Sequence, residues 1–384
     1  MRKKSYGRHR PDPAEAAPGT VKYSFRKISI YYFRVRTLPA KQIFFTIIPR
    51  GLPMQIPFIV KPEKKKIAAV GSALVDICLT ESDIFVSETG AAKGGMTLVS
   101  NERIQELVDQ SANKPVIVPG GSACNTILGI GKLGNPASFI GKRGNDELGT
   151  LFEEGVRAHG VEPLLQTSAT PTGNVLSVIT PDAQRTMFTF LGASSETDPA
   201  SVTADLFSDV ALVHVEGYLL FNHDLIRATL EAAKKAGALV SLDLASFTVV
   251  EASKELLEEL CASYVDILIA NEDEARAFTG LTDEHAALEA LCAKADLAVL
   301  KVGKRGSFIG HGGSSITVER MGDGGAVDTT GAGDLWAAGF LYGLVNGLPL
   351  ETCGKLGSAC GYEVCQVIGA QIPEESWKRI RALI

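Results

Sequence analysis

From Lys64 onward, short uninterrupted apolar runs take turns with longer stretches of helical period. Ile67-Ala68-Ala69-Val70-Gly71, Pro115-Val116-Ile117-Val118 and Ala137-Ser138-Phe139-Ile140-Gly141 read as strands, and the runs at 211–215, 238–243, 267–270 and 297–302 read the same way. Between and around them, 146–159, 223–236, 251–261 and 285–293 carry the spacing of amphipathic helices. Strands without polar alternation are buried on both faces. The rhythm therefore predicts an α/β fold: a three-layer α/β/α sandwich around a mostly parallel central sheet.

Two regions break the rhythm. Residues 77–119 contain a glycine-rich piece, Ala92-Lys93-Gly94-Gly95-Met96-Thr97, and residues 170–192 alternate polar and apolar positions, as in Arg185-Thr186-Met187-Phe188-Thr189-Phe190. Alternation with period two marks half-exposed strands. Together they predict one small β-sheet projecting from the main sheet as a lid, with an apolar face that pairing in a homodimer would cover.

Composition adds limits. The 384 residues are 45% hydrophobic and 21% charged, an ordinary globular balance that needs no disulfide or metal staple. Seven cysteines, none in a C-x-x-C pair, suit a reducing compartment, so a cytoplasmic location is expected. The six histidines are dispersed without the spacing of zinc ligands. Residues 1–53 stand apart, with twelve Lys/Arg against two acidic residues, whereas 54–384 carry 26 against 42. An acidic body argues against a nucleic-acid groove, and the apolar stretch 43–48 is too short for a membrane span. The extension reads as a basic arm, a transit segment, or translated sequence ahead of a start at Met54. The last is favoured, because Met54 lies shortly before the first well-patterned strand, and 54–384 is taken as the folded domain.

The strongest chemical signal is Asp328-Thr329-Thr330-Gly331-Ala332-Gly333-Asp334, followed by the apolar helix pattern Leu335-Trp336-Ala337-Ala338-Gly339-Phe340-Leu341. A Gly-Ala-Gly turn at a helix N-terminus offers free backbone amides and the positive end of the helix dipole to an anion such as a phosphoryl group. Asp334 beside it is placed to take a proton from an attacking hydroxyl. By itself the turn is equally a helix start with an acid in its first turn. Gly120-Gly121-Ser122-Ala123-Cys124-Asn125 opens another helix after a strand, and Asn125 offers both donor and acceptor to sugar hydroxyls, although a plain glycine turn has the same look. Asp76, in Gly71-Ser72-Ala73-Leu74-Val75-Asp76, falls just past the first strand, where open α/β sheets bind ligands; a solvated loop acid is the alternative.

Taken in order, these motifs resemble the PfkB family of carbohydrate kinases, the ribokinase-like fold that includes adenosine kinase, from about Lys64 to Ile384. The resemblance implies a phosphotransferase that uses ATP and Mg2+, with K+ as a further cofactor. It makes Asp334 the base and the amides of Gly331, Ala332 and Gly333 the anion hole, and assigns Asp76, Gly120, Gly121 and Asn125 to the acceptor. It further gives Asn271, Glu274, Lys301, Gly303, Thr329 and Gly369 to the nucleotide, Glu274 to magnesium through water, and Asp328 to a monovalent cation. Lys93-Gly94-Gly95-Met96-Thr97 and the run 239–246 resemble the adenosine-kinase-like branch, and Ser122-Ala123-Cys124 replaces the Lys-Gly-Ala usual in ribose specialists. The expected acceptor is a sugar or nucleoside hydroxymethyl group. A catalytically silent sugar- or nucleotide-binding protein on the same fold is the alternative; no complete G-x-G-x-x-G or G-x-x-x-x-G-K-[ST] supports a dinucleotide enzyme or a P-loop kinase.

Overall fold

In the computed structural model, nine strands form one sheet in the order 314–318, 307–311, 297–301, 267–271, 239–243, 210–216, 66–70, 137–144, 161–168. The structure describes residues 28–31, 46–49, 56–58, 60, 63–323 and 325–384. All neighbouring strands run parallel except the hairpin Ser307–His311 and Ser314–Val318, which closes one edge antiparallel. The chain divides into two compact units, Met1–Leu52 and Pro53–Ile384. In the first, Ile28–Tyr31 pairs antiparallel with Thr46–Pro49. The remainder of the basic extension lies outside the described residues.

Burial explains the layering. Along strand Lys66–Val70, Ile67 and Ala69 enter one core while Ala68 and Val70 enter the other, and all four are fully buried. One core is closed by helices Ser122–Lys132, Ala332–Val345, Leu350–Val364 and Glu374–Arg381, the other by His223–Ala236, Lys254–Ser263, Glu272–Thr279 and Glu284–Cys292. A sheet covered on both faces has no solvent side, so its strands read as unbroken apolar runs. Helix Ala332–Val345 is apolar around nearly its whole circumference because it packs between two other helices. Ten of its fourteen residues are buried, and a Cβ on Gly129 of helix Ser122–Lys132 would stand 2.7 Å from Ala338 Cβ.

The second sheet has five strands in the order 96–98, 185–190, 173–179, 74–80, 116–120. One face carries Ile77, Leu176 and Phe188, packed with Ile104 and Leu107 of helix Asn101–Gln110 and Val86 of helix Asp83–Glu88. The other face is left for the site. Two expectations are corrected here. Asp76 does follow the first strand, but it lies inside a further strand, Leu74–Thr80, and is buried, which removes the solvated-loop alternative and starts the lid sheet before residue 77. The segment 77–119 also holds two short helices, capped by Ser82 and Ser100.

Candidate active site

Where the carboxyl ends of the parallel strands face the free side of the lid sheet, a cavity of about 610 Å³ opens. Its wall carries the charged side chains Asp76, Arg185, Glu216, Asp243, Glu274, Lys301 and Asp334 together with the apolar Met96, Leu98, Val175, Met187, Leu191 and Leu219. Val175 is the strand neighbour of Asp76.

Asp334 stands in the first turn of helix Ala332–Val345. The turn is made by Gly331, whose φ of 72° lies in the left-handed region, and a Cβ there would stand 2.7 Å from Ala370 Cβ. No side chain caps this helix, and the amides of Gly333 and Asp334 have no backbone partner among the described residues. Two open donors at a helix N-terminus suit an anion. The Asp334 carboxylate faces a second helix start: Ser122 Oγ donates to Oδ1 at 2.9 Å and Asn125 Nδ2 to Oδ2 at 3.0 Å. Thr126 Oγ1 donates to the Asp334 carbonyl at 3.1 Å. Burial raises the Asp334 pKa above the usual carboxylate value, opposed by Asn125 and Ser122.

Asp76 is 6% exposed and its carboxylate has no hydrogen-bond partner among the described residues. It rests on Gly120, where a Cβ would fall 2.1 Å from Asp76 Cγ, so only glycine fits. Burial pushes its pKa up to about 7; Arg185 pulls down, and Asp334 pushes up. Arg185 crosses from the lid, donating from Nη1 to the carbonyl of Thr329 at 3.2 Å, and Thr329 Oγ1 donates back to the carbonyl of Ala183 at 3.4 Å. Glu216, at the end of strand Val210–Glu216 and 1% exposed, accepts from Ser72 N and Ala123 N, each at 2.8 Å. It thereby ties the loop after strand Lys66–Val70 to helix Ser122–Lys132. Burial raises its pKa, and the two amides hold it down.

Lys301 Nζ donates to Asp243 Oδ2 at 2.8 Å. Burial works against the Lys301 ammonium, but Asp243 and Glu274 keep its pKa raised. A Cβ on Gly333 would stand 3.0 Å from Lys301 Nζ, so the absent side chain leaves the ammonium beside the open amides. Glu274 and Asn271 form a capping box: Asn271 N and Nδ2 donate to Glu274 at 2.8 and 2.7 Å, and Glu274 N donates to Asn271 Oδ1 at 2.9 Å. Burial, reinforced by Asp243, pushes Glu274 up to about 7. Behind the turn, the fully buried Asp328 accepts from Thr330 N and Thr330 Oγ1 on Oδ1, and from Gly369 N on Oδ2 at 2.8 Å.

Of the residues singled out in the sequence, the cavity wall takes in Asp76, Gly121, Asn125, Asn271, Glu274, Lys301, Gly331, Gly333 and Asp334. Gly120 and Ala332 are off the wall. The expectation that the Ala332 amide joins those of Gly331 and Gly333 in the anion hole is corrected: it donates to the Thr329 carbonyl at 3.2 Å, and the amide of Asp334 is open instead. Thr329, Asp328 and Gly369 form the loop pair behind it, and Gly303 lies on the exposed turn Gly303–Arg305, off the cavity wall. Asn125 turns its amide to Asp334 rather than into open space. Sequence reasoning missed Arg185, Glu216 and Asp243; each ends or begins a strand, and an acid closing an apolar run was the available signal for the last two.

Among the described residues no three His, Cys, Asp or Glu side chains are set to hold a metal directly. Glu274 and Asp243 are already engaged by donors, yet both carboxylates face the cavity near Lys301. This donor set fits a magnesium ion held through its water shell. The open amides of Gly333 and Asp334 with Lys301 fit a phosphate. Among the described residues no helix is long and apolar enough to cross a membrane.

Comparison with known proteins bears on these features. The pattern of the pfkB family carbohydrate kinase matches residues 65–377. The structure of adenosine kinase from Sinorhizobium meliloti superposes with a TM-score of 0.79 and 34% identity, over 84% of this chain and 100% of that one. A probable sugar kinase from Rhizobium etli gives 0.78 and 33%, with the same coverage. Ribokinase of Arabidopsis thaliana is 28% identical over 323 residues, 80% of this chain and 79% of that protein.

Proposed function

We propose that this chain, which belongs to the pfkB family of carbohydrate kinases, transfers the terminal phosphoryl group of ATP to the hydroxymethyl group of a nucleoside. Membership makes it a phosphotransferase with an alcohol acceptor, acting on a sugar or a nucleoside. The observation that supports the finer reading is the mixed lining of the cavity. Its carboxylates suit the hydroxyls of a ribose, and the apolar side chains of Met96, Leu98, Val175, Met187 and Leu191 beside them offer more surface than a free pentose would cover.

In this reading Asp76 accepts hydrogen bonds from the acceptor's ring hydroxyls and Asp334 takes the proton of the attacking hydroxyl. The amides of Gly333 and Asp334, with Lys301, hold the charge that spreads over the transferred phosphoryl group. Arg185 adds a second cation from the lid and fastens the lid over the reacting groups, excluding water. Magnesium, when bound, neutralises phosphate charge, with Glu274 and Asp243 holding its water shell. The Asp328 and Gly369 loop pair is the place for K+, and activity measured with and without potassium tests it. Val116 and Ile117, on the edge strand Val116–Gly120, are 43% and 42% exposed, which supports a homodimer through the lid. Sedimentation as a strict monomer at micromolar concentration would count against that. The seven free cysteines support a cytoplasmic setting.

The test is ATP turnover by the purified protein with magnesium and potassium, against nucleosides, pentoses, hexoses and keto-sugars, for wild type and Asp334→Asn. A nucleoside should give the highest kcat/KM, and Asp334→Asn should lower kcat by roughly 10²–10⁴-fold with thermal stability retained. A pentose or hexose outperforming every nucleoside would overturn the acceptor assignment. Near wild-type turnover in Asp334→Asn would remove the base assignment.

A further inference from the structure

The free face of the lid sheet carries two hydroxyls that the reaction described above does not use. Strand pairing sets Leu98, Thr189, Val175 and Asp76 in one row across four strands, and Met96, Met187, Ser177 and Cys78 in the next. Side chains alternate between faces along a strand, so these two rows share a face, opposite Ile77, Leu176 and Phe188. Ser177 and Thr189 accordingly line the cavity. They are 2% and 6% exposed, and neither hydroxyl has a hydrogen-bond partner among the described residues. Nearby hydroxyls do have partners: Thr172 bonds Asp146, Ser194 the carbonyl of Leu191, and Ser195 that of Gly192. A buried hydroxyl left unpaired is costly, and one that faces a ligand cavity is available to the ligand.

We propose that Ser177 and Thr189 are specificity-determining residues, whose hydroxyls bond polar atoms on the base of the acceptor; this rests on the nucleoside reading given above. The row geometry sets the distance. Thr189 lies two strands from Asp76, about 10 Å at the usual strand spacing. A nucleoside with its ribose hydroxyls at Asp76 spans that distance, and a free pentose does not. Val175 and Met187 lie between and beside the hydroxyls and supply apolar surface to the ring. The polar edge of the base then decides which nucleoside leaves neither hydroxyl unpaired. Apolar contact alone separates similar ligands poorly, whereas an unmatched polar group in a closed pocket separates them well.

The experiment is calorimetric binding of adenosine, guanosine, cytidine and uridine, without ATP, to wild type, Ser177→Ala and Thr189→Val. ATP binding to the same three proteins controls for the fold. The tightest nucleoside should lose about 3- to 10-fold in affinity in each variant, as expected for one neutral hydrogen bond. ATP affinity should hold, and the spread among the four nucleosides should narrow. The proposal is overturned if both variants keep the nucleoside affinities within a factor of two, if ATP affinity falls in step, or if wild type binds no nucleoside. Nucleoside binding without phosphoryl transfer would remove the kinase reaction proposed above, while the same affinities still decide the role of the two hydroxyls.

Discussion

Asn125 donates its side-chain amide to Oδ2 of Asp334 across 3.0 Å, joining the first turns of two helices that lie 209 residues apart in sequence. The contact opposes burial at Asp334. Burial raises the pKa of this carboxyl, and donation to its ionised form by Asn125 and Ser122 lowers it. Removing a donor should therefore leave burial less opposed. Asn125→Ala is expected to move the acid limb of the kcat/KM against pH profile to higher pH, and Ser122→Ala to move it in the same direction. An unmoved limb in Asn125→Ala, with only acceptor KM altered, would confine Asn125 to substrate contact.

Asp76 offers a separate pH signature. Its pKa stands at about 7, raised chiefly by burial, so below that pH the carboxyl is largely neutral. A neutral carboxyl is the weaker acceptor for two sugar hydroxyls. Acceptor affinity should then rise as pH increases through about 7 and level off above it, while ATP affinity follows a different course. Titration calorimetry between pH 5.5 and 9 checks this. Asp76→Asn should abolish the step and weaken acceptor binding at high pH. A step that survives in Asp76→Asn belongs to another group.

The parts of this site that sequence reveals are those built from neighbouring residues. Gly331-Ala332-Gly333-Asp334 and Gly120-Gly121 announce themselves, because a helix start that must present bare amides, or that must clear Asp76, tolerates little besides glycine. Asn271 and Glu274 are likewise visible as a local box. Arg185, Glu216 and Asp243 are a different case. Each is a charged residue whose role comes from partners in distant segments: the Thr329 carbonyl, the amides of Ser72 and Ala123, and Lys301. No local period records such a pairing. The parallel core was legible for the same reason that the lid was only half so. Two-faced burial leaves unbroken apolar runs, but Leu74–Thr80 carries Asp76 in its middle, and a charge inside an apolar run reads as a loop until the cavity that receives it is known.

Arg185 joins the lid to the chemistry, and its removal should show in two measurements that move together. Its guanidinium holds the carbonyl of Thr329, one residue from Thr330 and two from Gly331, and its charge lowers the pKa of Asp76. Arg185→Ala should free the hairpin around 180–185 from the loop at 328–331, so that amide hydrogens in both segments exchange faster. It should also leave Asp76 with burial unopposed, moving the acceptor-affinity step to a pH above about 7. Turnover should fall because the lid no longer supplies a cation or excludes water. Arg185→Lys keeps the charge and loses the fork, so it should retain most of the Asp76 effect and little of the Thr329 bond. Faster exchange with an unshifted step would make Arg185 a latch alone, and a shifted step with unchanged exchange would make it an electrostatic partner of Asp76 that does not fasten the lid.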